Sequence, residues 1–143
     1  MRHILVPVDP TQPARTRSAI EQVVRLCREE PTTVHLLRVQ PLVSGHVAMF
    51  FDQSKLRELQ LGMGEEELQA AGSLLDAAGV PYTGTVRVGR SAKTIAAAAR
   101  EFACDRIIFG QDEPGLAGRL FGSLAQQVRQ LLDAKGDPQV IGS

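Results

Sequence analysis

A chain of 143 residues is long enough for one domain with a substantial core. At 43% hydrophobic and 22% charged residues, it is too apolar for a disordered segment. Its sixteen cationic and sixteen anionic side chains cancel, which removes the footprint that nucleic acid or an anionic membrane surface requires. Arginine outnumbers lysine thirteen to three, but the arginines are scattered and read as solvated helix faces. No apolar run approaches the roughly 20 residues that span a bilayer. Cys27 and Cys104 form no CxxC pair, and because Met1–Val6 reads straight into a strand, no secretory leader is expected. A reduced, cytoplasmic setting is expected, with both thiols as small core fillers.

In chain order, His3–Val8 is short, apolar and β-branched, and Pro7 and Asp9-Pro10 end it as a buried strand. Thr11-Gln12-Pro13 reads as a helix entry, with Thr11 or Gln12 near the cap. Ile20, Val23, Val24 and Cys27 then carry an amphipathic helix to about Glu30. Thr33–Val39 is a second strand. Gln40–Asp52 is a long connection holding His46 and the apolar group Val47–Phe51. That group is expected to lid a crevice or pack at a dimer surface. Ser54–Ala78 is a second helix with an inner stripe of Leu56, Leu59, Leu68, Ala71, Leu74 and Leu75, and Gly79 signals its end. Pro81–Val88 alternates and suits a sheet edge. Ser91 is expected to cap a third helix on which Ile95, Ala99 and Phe102 share a face. Asp105–Phe109 is a fourth strand. Ser123–Lys135 is a fourth helix with Leu124, Val128, Leu131 and Leu132 inward. Gly136-Asp137-Pro138 breaks the chain before a short last strand, Gln139–Ile141.

Strands alternating with helices imply parallel pairing through right-handed crossovers, hence a doubly wound α/β sandwich. Ligands of such sheets sit beyond the carboxyl ends of the strands. Pro7-Val8-Asp9 and the stretch from Gly110 onward are the natural walls of that crevice. Residues 109–123 form a glycine-bearing turn from strand to helix, the place where backbone N–H groups hold phosphate. The same turn carries Asp112, Glu113 and Pro114, which oppose an anion. A carboxylate about 5 Å from a phosphate charge costs about 1 kcal/mol in water and about 3 at an effective dielectric near 20. Gly122-Ser123 reads either as a phosphate contact or as the plain N-cap of the last helix. Asp9 reads either as a ribose contact or as the start of the Pro10–Pro13 turn.

The segments Ile4-Leu5-Val6-Pro7-Val8-Asp9, Leu36-Leu37-Arg38-Val39, Val88-Gly89, Asp105–Gly110 and Gly122–Val128, in that order, resemble the universal stress protein family. The resemblance covers nearly the whole chain. It implies a flavodoxin-like five-stranded sheet of order 3-2-1-4-5 and a homodimeric cytoplasmic protein of stress tolerance, acting on an unknown protein partner. Some members bind ATP through Gly-x2-Gly-x9-Gly-[Ser/Thr]. On that pattern Asp9 would contact the ribose or base side and Val39 would border the adenine, with Pro7 and Val8 among the cofactor-site residues, and Gly110, Gly122, Ser123 and Leu124 would surround the phosphates and ribose. The second glycine of the motif falls on Glu113, and the loop is one residue short. The expectation is a regulatory module with weak or absent ATP binding and no catalytic residues. The alternative is an ATP-binding member with slow hydrolysis or phosphoryl transfer. The last strand is expected to pair with a second copy. His3, His35 and His46 show no metal-site spacing, so no metal is expected.

Overall fold

Ile4, Leu5 and Val6 are wholly buried in β1 (Arg2–Pro7), with consecutive side chains entering opposite faces of the sheet. The chain continues through α1 (Pro13–Glu29), β2 (Thr32–Gln40), α2 (Gln53–Ala77), β3 (Tyr82–Val88), α3 (Ser91–Glu101), β4 (Arg106–Ile108), α4 (Leu124–Leu131) and β5 (Gln139–Ile141). The structure is a computed structural model and describes residues 2–42, 49, 52–110 and 124–142. The five strands pair in parallel in the order β3-β2-β1-β4-β5. This is the flavodoxin-like sheet the resemblance implies, with the alternating strand β3 at one edge and β5 at the other.

The sheet divides the core in two. Ile4, Val6, Val34, Leu36 and Ile108 face α1 and α2, where Ile20, Val23, Leu68 and Leu75 meet them. Leu5, Leu37, Val39, Ile107 and Phe109 face α3 and α4, against Ile95, Ala99, Ala125 and Val128. Small side chains at Ala96, Ala98, Ala99 and Ala125 let these two helices lie close to the sheet.

The helix ends differ in detail from the sequence reading. Gln12 is the N-cap of α1 without a side-chain capping bond, and Pro13 opens the helix. Asp52 caps α2 by accepting the Ser54 N–H. Gly79, at φ +71°, closes it by donating to the Asp76 carbonyl. Ser91 is not a cap: Arg90 occupies that place without a side-chain bond, and Ser91 is the first helical residue. The last helix stops at Leu131 and not at Lys135. The Asp137 carboxylate accepts the Ala134 N–H at 3.0 Å and the Arg100 guanidinium at 2.9 Å, which turns the chain early.

Three leucines expected inside are exposed: Leu59 (60%), Leu74 (39%) and Leu131 (37%). On α2 the inward stripe runs instead through Leu56, Gln60, Gly64, Leu68, Ala71, Gly72 and Leu75. Gly64 and Gly72 belong to it because a Cβ there would strike Val86 and Tyr82 of the edge strand. Leu74 and Leu75 are neighbours in sequence with opposite environments. Leu75→Ala is expected to lose about 2–5 kcal/mol of unfolding free energy. Leu74→Ala should stay within about 0.5 kcal/mol of the parent. Urea titrations of the two variants check the contrast.

Candidate functional site

The carboxyl ends of β1 and β4 converge on the first turns of α1. Leu5 pairs with Ile107, so Pro7 and Phe109 each stand two positions further along. Val8, buried, extends the ladder beyond β1 by donating to the Leu37 carbonyl at 2.8 Å. Asp9, half-buried, then folds back on itself. Its Oδ1 accepts the Thr11 N–H at 2.9 Å and the Thr11 hydroxyl at 2.6 Å, and its carbonyl accepts the Gln12 N–H at 3.1 Å. These bonds form a turn in which a short carboxylate replaces a backbone acceptor and leads the chain into Pro13.

Gly110 is buried on the opposite wall. A Cβ at this position would collide with the backbone carbonyl of Arg15 in α1, and the Arg15 Nε donates to the Gly110 carbonyl at 3.2 Å. Its lack of a side chain is therefore used against α1. Leu124 is half-buried at the start of α4. Gly122, Ser123 and the acidic residues Asp112 and Glu113 lie outside the described residues, so the choice between phosphate contact and N-cap at Ser123 falls there, as do His46 and the Val47, Ala48, Phe50 and Phe51 group.

Val39 is buried at the end of β2, one strand away from Pro7–Asp9. Its carbonyl accepts from the Arg38 Nη1 at 2.9 Å. Arg38 also pairs through Nε with Glu67 of α2 and reaches the Gln40 side chain at 3.3 Å. Gln40, 6% exposed, donates to the Gln60 carbonyl at 3.0 Å, and Gln60 donates to that of Pro41 at 2.9 Å. This polar seam fastens α2 to the crevice end of β2. The sequence carried only a weak sign of it: two polar residues, Arg38 and Gln40, at the end of an apolar strand.

The structure thus gathers Pro7, Val8, Asp9 and Gly110 around α1, with Val39 beside them. Among the described residues, no three His, Cys, Asp or Glu side chains are placed to hold a metal ion. Burial pushes the Cys104 thiol up to about 12, with the Asp105 charge adding to it, and burial raises Cys27 as well. Neither is a thiolate at neutral pH. No described helix is long and apolar enough to cross a membrane. A polar depression of about 470 Å³ lies at the opposite end of the sheet, lined by Arg2, Glu30, Pro31, Asp105, Arg106 and Gln139. Arg2 and Glu30 are already paired there at 2.8 Å, and parallel sheets take ligands at the other end.

The model of the universal stress protein family matches residues 1–134. The chain belongs to this family. Several solved structures share its fold. The universal stress protein from Archaeoglobus fulgidus superposes with a TM-score of 0.70 at 20% identity, covering 99% of this chain and 98% of that one. A structure of the Archaeoglobus fulgidus protein in complex with dAMP gives 0.64 at 21% identity, with 99% and 97% covered. A universal stress protein family member from Arabidopsis thaliana with AMP bound gives 0.63 at 14%, with 99% and 92% covered. A search of curated protein sequences finds no match.

The role of Gly110 has a direct consequence. Gly110→Ala places a methyl group against the backbone of Arg15, which cannot rotate away as a side chain would. The variant is expected to lose about 1–3 kcal/mol in a urea titration, without any ligand present.

Proposed function

We propose that this protein is a universal-stress-type regulatory module that acts as a homodimer, binds adenine nucleotides weakly or not at all, and catalyses no reaction. The observation that carries this reading is the commitment of the crevice groups to the fold itself. Gly110 serves the packing of α1, and the Asp9 carboxylate serves its own turn. The sequence adds Glu113 in place of the second motif glycine and a loop one residue short. A glutamate pays to adopt the backbone conformations open to glycine, and Pro114 removes one N–H donor.

A second reading keeps nucleotide binding, and the dAMP and AMP complexes of the two relatives favour it. Titration calorimetry with Mg-ATP and with AMP separates the two. No heat of binding at ligand concentrations up to about a millimolar is the expected result, and thermal unfolding should not shift. A ligand present at 100 times its dissociation constant would stabilise the fold by about 2.7 kcal/mol. A micromolar dissociation constant for either nucleotide would establish the second reading.

The dimer is proposed to form through β5. Toward β4, Gln139 donates to the Asp105 carbonyl and Ile141 accepts from Phe109. Val140 therefore points its N–H and carbonyl away from β4, as alternate residues of a parallel strand do, with the Arg129 guanidinium donating to that carbonyl at 3.5 Å. An apolar edge strand invites pairing with its own copy, and two-fold antiparallel pairing closes after two chains. Arg129 lies along this edge, donating to the Gly142 carbonyl. Light scattering on the intact chain should give twice the chain mass. Val140→Pro removes the outward N–H while leaving the β4 bonds in place, and should give a folded monomer. A dimer that survives this change would place the interface elsewhere.

A further inference from the structure

His3 and His35 meet on neighbouring strands, at the end of the sheet away from the crevice. Leu5 pairs with His35, so His3 sits one alternation away on the same face, toward α3. The His3 Nδ1 and His35 Nε2 are 3.1 Å apart, with ring planes 22° apart. One proton between these nitrogens makes a hydrogen bond, whereas a proton on each sets two cationic donors against one another. The second nitrogen of His35, Nδ1, lies 2.9 Å from the Thr83 hydroxyl of β3.

The ring of His35 stacks on Phe102, with centroids 5.3 Å apart and planes 19° apart. Phe102 is the residue that closes α3. The next residue, Ala103, is held at φ +52°, a left-handed conformation that a residue with a Cβ adopts at a cost. Buried Cys104 follows. The end of α3 is closed by backbone bonds from Ala103 to the Arg100 carbonyl and from Cys104 to the Ala99 carbonyl, and the Phe102–His35 stack adds a tertiary contact to this strained turn.

The charged groups around the pair come from every element packed against it. Asp105, before β4, accepts the backbone N–H of His3 at 3.0 Å. Arg87 of β3 lies 5.7 Å from the Phe102 ring and forms a two-fold bond with Glu101 of α3, at 3.1 Å each. Burial, and then the charge of His3, hold the pKa of His35 below the ordinary histidine value of 6.5. A group depressed in the folded state contributes stability above its unfolded value, and that contribution fades as pH falls below it.

We propose that His3, His35 and Phe102 form an acid-operated latch on the C-terminal end of α3. It is closed while the two facing nitrogens hold one proton between them, and it opens once each holds its own. The moving element is the strained segment Phe102–Cys104, and the signal is a fall in pH.

Amide hydrogen exchange of the full chain, read by NMR from pH 7.5 to 5.0 and corrected for intrinsic rates, tests this. Protection at Phe102, Ala103 and Cys104 should fall by about tenfold per pH unit below the ordinary histidine range. Ile20 and Val23 of α1, in the other half of the core, should keep theirs. His35→Gln retains a hydrogen-bonding group that cannot charge, and should give a flat profile. If that variant does not fold, His3→Gln makes the same test. Constant protection at the end of α3 in the parent protein overturns the proposal, and so does an equal fall in the folded variant.

Discussion

The central position of β1 is the constraint on which the remaining architecture depends. Ile4, Leu5 and Val6 have no exposure, so both faces of this strand must be covered. One face takes α1 and α2, the other α3 and α4. Right-handed crossovers between parallel strands then leave few ways to thread the chain, and β3 and β5 fall at the edges. The same geometry sends every strand's carboxyl end to one side of the molecule. The crevice is a product of this arrangement.

At the crevice, the candidate site residues are engaged in packing and turn contacts. Gly110 has room for its neighbour because it has no side chain, and α1 fills that room. Asp9 offers a carboxylate, and Thr11 takes it. Family membership does not by itself carry ligand binding across: Glu113 stands where the family's phosphate motif has its second glycine.

Polar groups hold the two ends of the sheet in different ways. At the crevice end, Arg38, Gln40, Gln60 and Glu67 tie α2 to β2 through charged and amide hydrogen bonds. At the far end, two imidazoles and an aromatic ring bind β1, β2 and α3, and Arg100 with Asp137 anchors the turn before β5. The first seam contains no imidazole, and the second contains two.

The order of elements was legible in the sequence because it rests on local signals: β-branched runs, Gly79 after a helix, and Pro138 before a last strand. The burial of Ile4–Val6 and the edge character of β3 followed from the same patterns. The inner face of α2 was legible only in part: Leu68, Ala71 and Leu75 are buried as the stripe requires, and Leu59 and Leu74 are not. Leu59 and Leu74 satisfy a helical stripe as well as Gln60 and Gly64 do on paper, and only the position of Val86 and Tyr82 decides that glycine faces inward. The candidate site divides along the same line. That Pro7–Asp9 and Gly110 flank a crevice follows from strand ends in a parallel sheet. That Gly110 is spent on Arg15, and that His3 meets His35, depends on contacts 95 and 32 residues apart. Local chemistry writes the elements into the sequence, but which side chains meet between distant segments is settled only when register and helix packing bring them together.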